Sequence, residues 1–250
     1  MRDFAVFTVV QDEQEWLPTW CDYYLRHLDS WDLYVLDHDS VDGSTEGIGG
    51  NVVPVHRSET FDHAWLKGTV ESFQRFLLQS YRCVLFAEAD EIVAPDPRCF
   101  AGGLRRYVEE AFLPSQHTAV HCWGKEVYHQ RDEPDLDDLR PILSQRRCYG
   151  DRAAYNKPLL SKVPLDWTFG FHGATQVVPP SDPPLLLLHL HRADRRRCLR
   201  RHRARAGRRF ADDGPLGCQH RITEEAEVTA WFDDLDFSLQ PVPEDWVRIV

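Results

Sequence analysis

The sequence has 250 residues, enough for one large α/β domain or two small ones with a sizeable core. Its 40 acidic and 29 basic residues give a formal net charge of −11, which argues against a general nucleic-acid binder, because such proteins usually carry net positive charge. The longest purely aliphatic run, Leu185 to Leu188, is far shorter than the roughly 20 residues that cross a bilayer, so we expect no transmembrane segment.

The N-terminus runs directly into an apolar stretch, and no small-residue cleavage site follows it. We therefore expect the chain to begin inside its domain and to stay in the cytoplasm. Seven cysteines are scattered along the chain, and no pair has the close spacing of a zinc site. We expect these thiols to be reduced and mostly buried.

Strand and helix patterns alternate over the first 95 residues. Runs of β-branched and aromatic residues predict strands, and apolar residues spaced three and four apart predict helices. This alternation is typical of an α/β fold with a mainly parallel central sheet flanked by helices. In chain order we predict a strand at Phe4 to Val10, a helix at Asp12 to Leu28, strands at Leu33 to Leu36 and Asn51 to His56, a helix at Ala64 to Tyr81, and a strand at Arg82 to Ala87.

The second half of the chain is less regular. Asn156 to Val163 and Ala174 to Val178 are predicted strands, and His191 to Arg209 is a predicted, strongly basic helix. No internal repeat or low-complexity linker divides the chain. We therefore expect a single domain over residues 1–250, with a regular first half at 1–95 and a variable second half at 96–250.

Acidic clusters follow three of the predicted strands. They are Asp12 with Glu13, the segment from Asp37 to Asp42, and the segment from Glu88 to Glu91. In parallel sheets ligands bind at the carboxyl ends of the strands. The three clusters are therefore expected to border one binding site.

The third cluster places Glu88, Asp90 and Glu91 within four residues. Closely spaced negative charges repel each other unless a positive group neutralises them. Carboxylate oxygens suit a hard cation such as Mg²⁺ or Mn²⁺, which commonly bridges protein carboxylates and a substrate diphosphate. The cluster therefore favours a metal site, and the alternative is a solvated loop before the turn at Pro95 to Pro97.

The second cluster, Asp37 to Thr45, is rich in short donors and acceptors. Asp37, at the end of its strand, could accept hydrogen bonds from a nucleobase or a ribose. The alternative is a helix-capping loop, since Asp, Ser and Thr are common at helix N-termini.

Together these segments resemble the opening and the motifs of family-2-like glycosyltransferases with the GT-A fold. Val9 to Pro18 looks like their first strand, Asn-Glu pair and helix start. Asp37 to Ser44 is similar to their Asp-Asn-x-Ser-x-Asp-Gly-Thr turn, and Phe86 to Val93 is similar to their Asp-x-Asp-Glu-Phe segment. Fainter similarities in the second half are found at Lys157 to Leu160, Gly170 to Gly173 and Leu188 to Asp194.

The resemblance implies a GT-A fold with a nucleotide-sugar-binding half at 1–95 and an acceptor-binding half at 96–250. It also implies a nucleoside-diphosphate sugar donor and a divalent metal, Mn²⁺ or Mg²⁺. The metal ligands are expected to be Asp90, Glu88 and His189, with His191 as the alternative to His189. The nucleotide sugar is expected to contact Val10, Asp12, Glu13, Asp37, Asp42, Lys67, Glu88 and Ala89.

Transfer with inversion, which the resemblance implies, needs a base that takes the proton of the acceptor. We expect Asp166 in this role and Glu91 as a second catalytic carboxylate. The acceptor, a small molecule or a saccharide, is expected in a pocket formed by Trp123, Trp167 and His172. As alternative bases the sequence leaves open Glu126, Asp151 and His172.

Ten arginines lie between Arg192 and Arg209. They suit a diphosphate or an anionic acceptor, because guanidinium groups bind phosphate through paired hydrogen bonds. They equally suit a solvated face or pairing with acidic residues of the same chain. Contact with nucleic acid or a membrane is a third interpretation, and we expect no nucleic-acid partner.

Two other functions stay open at this point. A nucleotidyltransferase also uses carboxylates and a metal on an α/β sheet, but the turn after the first strand carries Asp12 and Glu13 where such an enzyme needs a Gly-rich, basic phosphate loop. A non-catalytic sugar-nucleotide-binding domain is the other alternative, and Glu88 in place of the usual Asp is its best support.

Overall fold

The computed structural model describes residues 1–56, 60–205, 209–211, 222 and 224–250. In these residues the α-helices are α1 (Leu17–Leu25), α2 (His63–Leu77), α3 (Leu104–Tyr107), α4 (Arg195–Arg205) and α5 (Glu225–Asp233). The strands are β1 (Arg2–Val10), β2 (Leu33–Asp37), β3 (Asn51–Pro54), β4 (Thr60–Phe61), β5 (Tyr81–Phe86), β6 (Glu91–Pro95), β7 (Ala119–His121), β8 (Trp123–Tyr128), β9 (Cys148–Asp151), β10 (Pro158–Ser161), β11 (Leu185–His189), β12 (Arg209–Phe210) and β13 (Leu239–Pro241).

Two large sheets organise the described residues, beside a two-stranded sheet of β12 and β4. The first has the strand order β3-β2-β1-β5-β10-β7, and the second has the order β13-β9-β8-β11-β6. Pairing is parallel from β3 to β5, whereas β10 is antiparallel to both β5 and β7. In the second sheet only β8 and β11 pair in parallel among the described strands. The fold is α/β, and its sheets are mixed: the expected parallel pairing holds from β3 to β5, whereas the second half adds antiparallel strands, which need no helical crossover.

The predicted strands of the first half are present with small shifts at their ends. β1 lies between β2 and β5, and its residues Phe4 to Phe7 are buried. A strand covered on both faces needs a continuous apolar run, which is the pattern of this segment. In the second half, Ala174 to Val178 is not a strand: Ala174 makes an isolated bridge to Trp167, and the backbone of Thr175 donates to Asp166.

Helix α1 begins five residues later than predicted. Asp12 has a positive φ of 52°, a backbone conformation that ends the strand in a tight turn and cannot belong to a helix. The Glu13 side chain then accepts a hydrogen bond from the Trp16 backbone, and the helix starts at Leu17. Residues 12–16 therefore precede the helix, and Glu13 in this turn is free to line a site.

The basic helix is also shorter than the predicted His191 to Arg209. Asp194 caps it, because its carboxylate accepts a hydrogen bond from the backbone of Arg197 at 2.9 Å. Arg209 lies in β12, which pairs with β4, and residues 206–208 of the prediction lie outside the described residues. α4 packs on α5, and the Cys198 side chain lies in a small apolar cluster with Tyr128, Val228 and Phe232.

We expect the variant Asp62→Ala to lower the free energy of unfolding by about 1 kcal/mol. Asp62 is the N-cap of α2, and its carboxylate accepts hydrogen bonds from the backbones of Ala64 (2.8 Å) and Trp65 (3.2 Å). Urea unfolding measures the change, and Asp62→Ser, which keeps a capping oxygen, is the matched control. Equal stability of the Ala variant and the unsubstituted protein would contradict the capping role.

Candidate functional site

A cavity of about 270 Å³ opens at the carboxyl ends of β1 and β5. Val9 and Val10 at the end of β1 border it, as do Glu88 and Ala89 after β5. Its opposite wall comes from the end of β11, from α4 and from α5. Besides Glu88, the side chains that line it and carry polar or aromatic groups are Gln11, Glu13, His38, Phe61, His63, Lys67, Asp90, Tyr155, Lys157, Phe171, His172, His189, His191, Arg201, Arg205, Phe210 and Trp231.

The two turns after β1 and β2 hold each other in place beside the cavity. The backbone of Asp12 donates to the Ser40 hydroxyl (3.0 Å), and the backbone of Glu13 donates to the Ser44 hydroxyl (3.2 Å). The Asp12 carboxylate in turn accepts from the backbone of Val41 (2.9 Å). Of the two acidic residues, Glu13 borders the cavity, whereas the Asp12 side chain stabilises the turn.

The carboxylates of Asp37 and Asp42 stabilise the second turn. Asp37 accepts hydrogen bonds from the backbone of Ser40 (2.9 Å) and from the Thr45 hydroxyl (2.8 Å), and Asp42 accepts one from the backbone of Ser44 (2.9 Å). Neither aspartate is among the residues that line the cavity. The turn instead presents a residue that the sequence reasoning did not select, His38.

His38 and Trp65 form a stacked aromatic pair at this end of the cavity. Their ring centroids are 4.2 Å apart and their planes differ by 10°. Lys67, which the sequence predicted as a binding residue, also lines the cavity and forms an ion pair with Glu71 at 2.7 Å. An aromatic platform with a cation nearby is a surface on which a nucleobase can stack.

Lys157 neutralises the acidic loop from one side. Its ammonium lies 2.6 Å from a carboxylate oxygen of Glu88 and 2.6 Å from one of Glu91. Glu91 is fully buried and does not line the cavity, whereas the Glu88 side chain is 41% exposed and does. Burial raises the pKa of Glu91, although Lys157 opposes that shift. Of these two carboxylates, Glu88 is therefore the one that a ligand can reach.

Arg201 neutralises the loop from the other side. Its guanidinium lies 2.6 Å from Asp90 and 2.8 Å from Glu13, and all three side chains are buried. Arg205 adds a second positive charge 3.6 Å from Glu13. Burial by itself would raise the pKa of Asp90, but Arg201 and the neighbouring histidines outweigh it and hold that pKa well below 3.8. The basic helix thus supplies its charge to the site.

His189 and His191 complete the surroundings of Asp90. The Nδ1 atom of His189 lies 3.1 Å from both carboxylate oxygens of Glu126, and its Nε2 atom lies 3.8 Å from Asp90 Oδ2. Burial disfavours the charged imidazole, but Glu126 and Asp90 outweigh it and raise the pKa of His189 to about 9. His189 is therefore a cation at neutral pH when no metal replaces its proton.

The donor chemistry around Asp90 fits a divalent cation. Carboxylate oxygens and an imidazole nitrogen suit Mn²⁺, and metal-ligating histidines usually have a carboxylate such as Glu126 at their other nitrogen. Binding at His189 Nε2 would release the proton that this ring holds. Arg201 occupies the same Asp90 oxygen, so an ion at Asp90 shares this carboxylate with the guanidinium or displaces it.

The predicted acceptor residues are only partly brought together. His172 lines the cavity, and its ring stacks on Tyr155 with a centroid distance of 5.9 Å. Trp167 is buried in the core, where its indole donates to the Pro158 carbonyl. Trp123 is partly exposed on β8 and does not line the cavity. Asp166 does not line it either, and it forms an ion pair with Arg75 at 2.8 Å.

His172 has the properties of a proton acceptor. Burial, with the positive charge of Lys157, lowers its pKa below 6.5, so the ring is neutral at neutral pH. Its Nδ1 atom faces the carbonyl of Ala154, which can only accept a hydrogen bond. The proton therefore resides on Nδ1, and Nε2 carries the lone pair.

Sequence reasoning did not assign roles to several residues that define the cavity. Lys157 and Arg201 are the clearest cases, because each one connects two carboxylates. The signal for Lys157 was its place in the Lys-Pro element of the resemblance. Arg201 had no signal of its own, since only the fold distinguishes it from nine other arginines in the basic segment.

Comparisons with known proteins find no match among models of protein families and none among curated proteins. Among solved structures, the chain is similar to glucosyl-3-phosphoglycerate synthase from Mycobacterium tuberculosis, in complex with Mn²⁺, UDP and glucosyl-3-phosphoglycerate. The identity is 18% and the TM-score 0.32, over 51% of this chain and 44% of that one, so the match spans less than half of the synthase.

The chain is also similar to the mannosyltransferase PcManGT from Pyrobaculum calidifontis, in complex with GDP-Man and Mn²⁺. The identity is 14% and the TM-score 0.40, over 100% of this chain and 68% of that one. Both similarities are low, and the function proposed below therefore rests on the cavity and its residues. No helix within the described ranges combines the length and apolar character that crossing a membrane requires.

Proposed function

We propose that the protein is a glycosyltransferase that moves a sugar from a nucleoside-diphosphate sugar to a small-molecule or saccharide acceptor. The observation that carries this proposal is the cavity at the carboxyl ends of β1 and β5, where Glu88 and Asp90 face the cations Lys157 and Arg201. In α/β sheets ligands bind at this edge. The order of the sequence motifs, which resembles that of GT-A glycosyltransferases, supports the same function.

The donor is proposed to lie along the cavity from the β1–β2 end towards α4. Val10 and His38 border the end where the base and ribose would lie, beside the stacked ring of Trp65. Arg201, Arg205 and Lys157 border the part where the diphosphate would lie. Positive side chains that are already in position before the reaction stabilise the negative charge that develops on a leaving diphosphate.

A divalent metal, Mn²⁺ or Mg²⁺, is proposed as the cofactor, held by Asp90 and His189 with Glu88 nearby. When bound, such an ion adds Lewis-acid stabilisation of the leaving diphosphate. Glu126 orients His189 through Nδ1 and so directs Nε2 towards Asp90. Lys157 fixes the Glu88 carboxylate at the mouth of the cavity.

His172 is proposed as the base, in place of Asp166, which lies outside the cavity lining. An acceptor hydroxyl attacks the anomeric carbon, the bond from that carbon to the diphosphate oxygen breaks, and His172 Nε2 takes the hydroxyl proton. The nucleoside diphosphate leaves with the bonding electron pair. Attack from the face opposite the leaving group gives inversion at the anomeric carbon.

We expect the protein to bind at least one of the UDP-, GDP-, dTDP- and CDP-sugars and to turn it over. Thermal-shift ranking identifies the nucleotide, and release of nucleoside diphosphate in the presence of saccharide acceptors measures transfer. Asp90→Asn is expected to abolish the stimulation by Mn²⁺ that follows treatment with EDTA, because it removes a ligand charge. Asp166→Asn is the matched control and should keep full activity.

The outcomes separate this function from its alternatives. Failure to bind any nucleotide sugar, with or without Mn²⁺, would contradict the proposal. Binding without turnover over a broad acceptor panel would favour a non-catalytic binding domain. Formation of a sugar nucleotide from a nucleoside triphosphate and a sugar phosphate would favour a nucleotidyltransferase.

A further inference from the structure

Three side chains of types that bind metals converge at the wall of the cavity. They are His191, which follows β11, together with Cys198 and His202 on α4. All three are buried, and one ligand atom from each lies within 4.8 Å of the ligand atoms of the other two. The sequence did not predict this cluster, because the cysteine spacing that marks many zinc sites is missing.

The helix places two of these ligands on one face. Cys198 and His202 are four residues apart within α4 (Arg195–Arg205), so their side chains project from adjacent turns of the same face. Asp194 fixes the start of this helix next to His191. The local structure therefore brings the thiol and both imidazoles together without a long-range loop.

The distance between the two imidazoles matches a tetrahedral zinc ion. Nε2 of His191 and Nε2 of His202 are 3.4 Å apart. With zinc–nitrogen bonds of about 2.0 to 2.1 Å, the edge of a tetrahedron between two nitrogens is about 3.3 to 3.4 Å. A direct hydrogen bond between the two rings is the competing explanation of this distance.

The outer nitrogens of the two rings have different partners. His202 Nδ1 donates to the carbonyl of Ile222 (2.9 Å), which is the arrangement that orients the other nitrogen of a histidine towards a metal. His191 Nδ1 lies 2.9 Å from a guanidinium nitrogen of Arg201, which can only donate, and 3.3 Å from Asp90 Oδ2. Zinc binding at Nε2 of His191 therefore requires this ring to carry its proton on Nδ1 and to donate it to Asp90. The indole of Trp231 packs against both rings, with centroid distances of 5.3 and 5.5 Å, and closes the cluster from that side.

We propose that His191, Cys198 and His202 bind a structural zinc ion, with water or a further side chain as the fourth ligand. A thiolate with two imidazoles suits zinc, whereas Mn²⁺ and Mg²⁺ prefer oxygen ligands. The ion would connect the segment after β11 to α4 and to the backbone at Ile222. It is distinct from the oxygen-rich site at Asp90 and does not depend on glycosyl transfer.

The test uses the full-length protein, purified without chelator. We expect about one equivalent of zinc per chain by elemental analysis. We also expect the Co²⁺-substituted protein to show a thiolate-to-cobalt charge-transfer band together with the strong visible bands of tetrahedral cobalt. Cys198→Ser and His202→Gln are expected to weaken zinc binding more than about tenfold in competition with a chromophoric chelator.

The controls separate this ion from others. Cys99→Ser alters an exposed cysteine and should keep the cobalt–thiolate band, and His189→Gln, which alters the proposed catalytic metal site, should keep it as well. Absence of bound zinc and of a cobalt–thiolate band in the unsubstituted protein would overturn the proposal and favour the imidazole–imidazole hydrogen bond. A band that persists in Cys198→Ser would overturn it too. If Cys198→Ser does not fold, the spectrum of the unsubstituted protein and that of His202→Gln decide the question.

Discussion

Replacing Arg201 with methionine is expected to lower the free energy of unfolding by about 3 to 5 kcal/mol. The substitution removes the guanidinium that pairs with both Glu13 and Asp90, and it leaves both carboxylates buried. Removal of one member of a buried ion pair is costly because the remaining charge has lost both water and its partner. Denaturant unfolding monitored by circular dichroism measures the change.

A neighbour in the same helix gives the control. Arg200 pairs with Glu15 at 2.5 Å, but its side chain is 46% exposed. The Arg200 side of that pair is solvated, although the Glu15 side chain is only 15% exposed, so Arg200→Met should change the unfolding free energy by about 1 kcal/mol, less than Arg201→Met does. Equal effects of the two substitutions would contradict a special role for Arg201.

The pH dependence of the unfolding free energy should also report the ion pair between Arg201 and Asp90. The pKa of Asp90 is held well below 3.8 in the folded protein, so the unfolded chain binds its proton at a higher pH than the folded chain does. The stabilisation is therefore complete above the unfolded value and is lost as the pH falls towards the folded one. In Asp90→Asn this acid-dependent loss of stability should become smaller.

Replacing His172 with glutamine is expected to lower kcat for transfer by about 10² to 10⁴, the usual contribution of a general base. Glutamine keeps a similar size but cannot accept the proton of the acceptor hydroxyl. Affinity for the nucleotide sugar should change little, because the proposed donor contacts are Val10, Arg201 and Lys157. Steady-state kinetics with the best donor of the panel tests this.

The pH profile provides a readout that a merely structural role would not change. A base works only when it is deprotonated, and the pKa of His172 lies below 6.5. The rate should therefore fall as the pH drops below the pKa of His172, and this fall should be missing in His172→Gln. His117, which is exposed and outside the cavity lining, gives the matched control in His117→Gln. An unchanged acid limb in His172→Gln would exclude this base.

Local patterns were sufficient to predict the parallel part of the fold. β1, β2, β3 and β5 are short apolar runs bounded by turns, and each lies within a few residues of its predicted limits. The register of β10 and β7 beside β5 could not be predicted, because antiparallel pairing between distant segments leaves no periodic signal in either one. The start of α1 was missed because the turn at Asp12 depends on hydrogen bonds to Ser40 and Val41 from another loop.

The residues of the candidate site likewise divide into those that the sequence predicted and those that it did not. Val10, Glu13, Lys67, Glu88, Ala89, Asp90, His172 and His189 were chosen from the sequence, and all of them border the cavity. Their positive partners were not chosen, because Lys157 and Arg201 are 69 and 111 residues away from the carboxylates Glu88 and Asp90. Trp123 and Trp167 were expected to line the pocket, but the sequence does not distinguish an indole that packs in the core from one that forms a binding surface.

The acidic loop has a topological property with consequences for engineering. Residues 87–90 connect β5 in the first sheet to β6 in the second, where Glu91 pairs with His189 of β11. A cut near residue 95 would leave β6 attached to a fragment that lacks its partner strand, and β5 would lose β10. The two halves of this chain therefore cannot be exchanged between proteins as independent units. Chimeras that exchange acceptor specificity should retain the β5–β6 connection and β11 from the same parent, and change the loops that surround them.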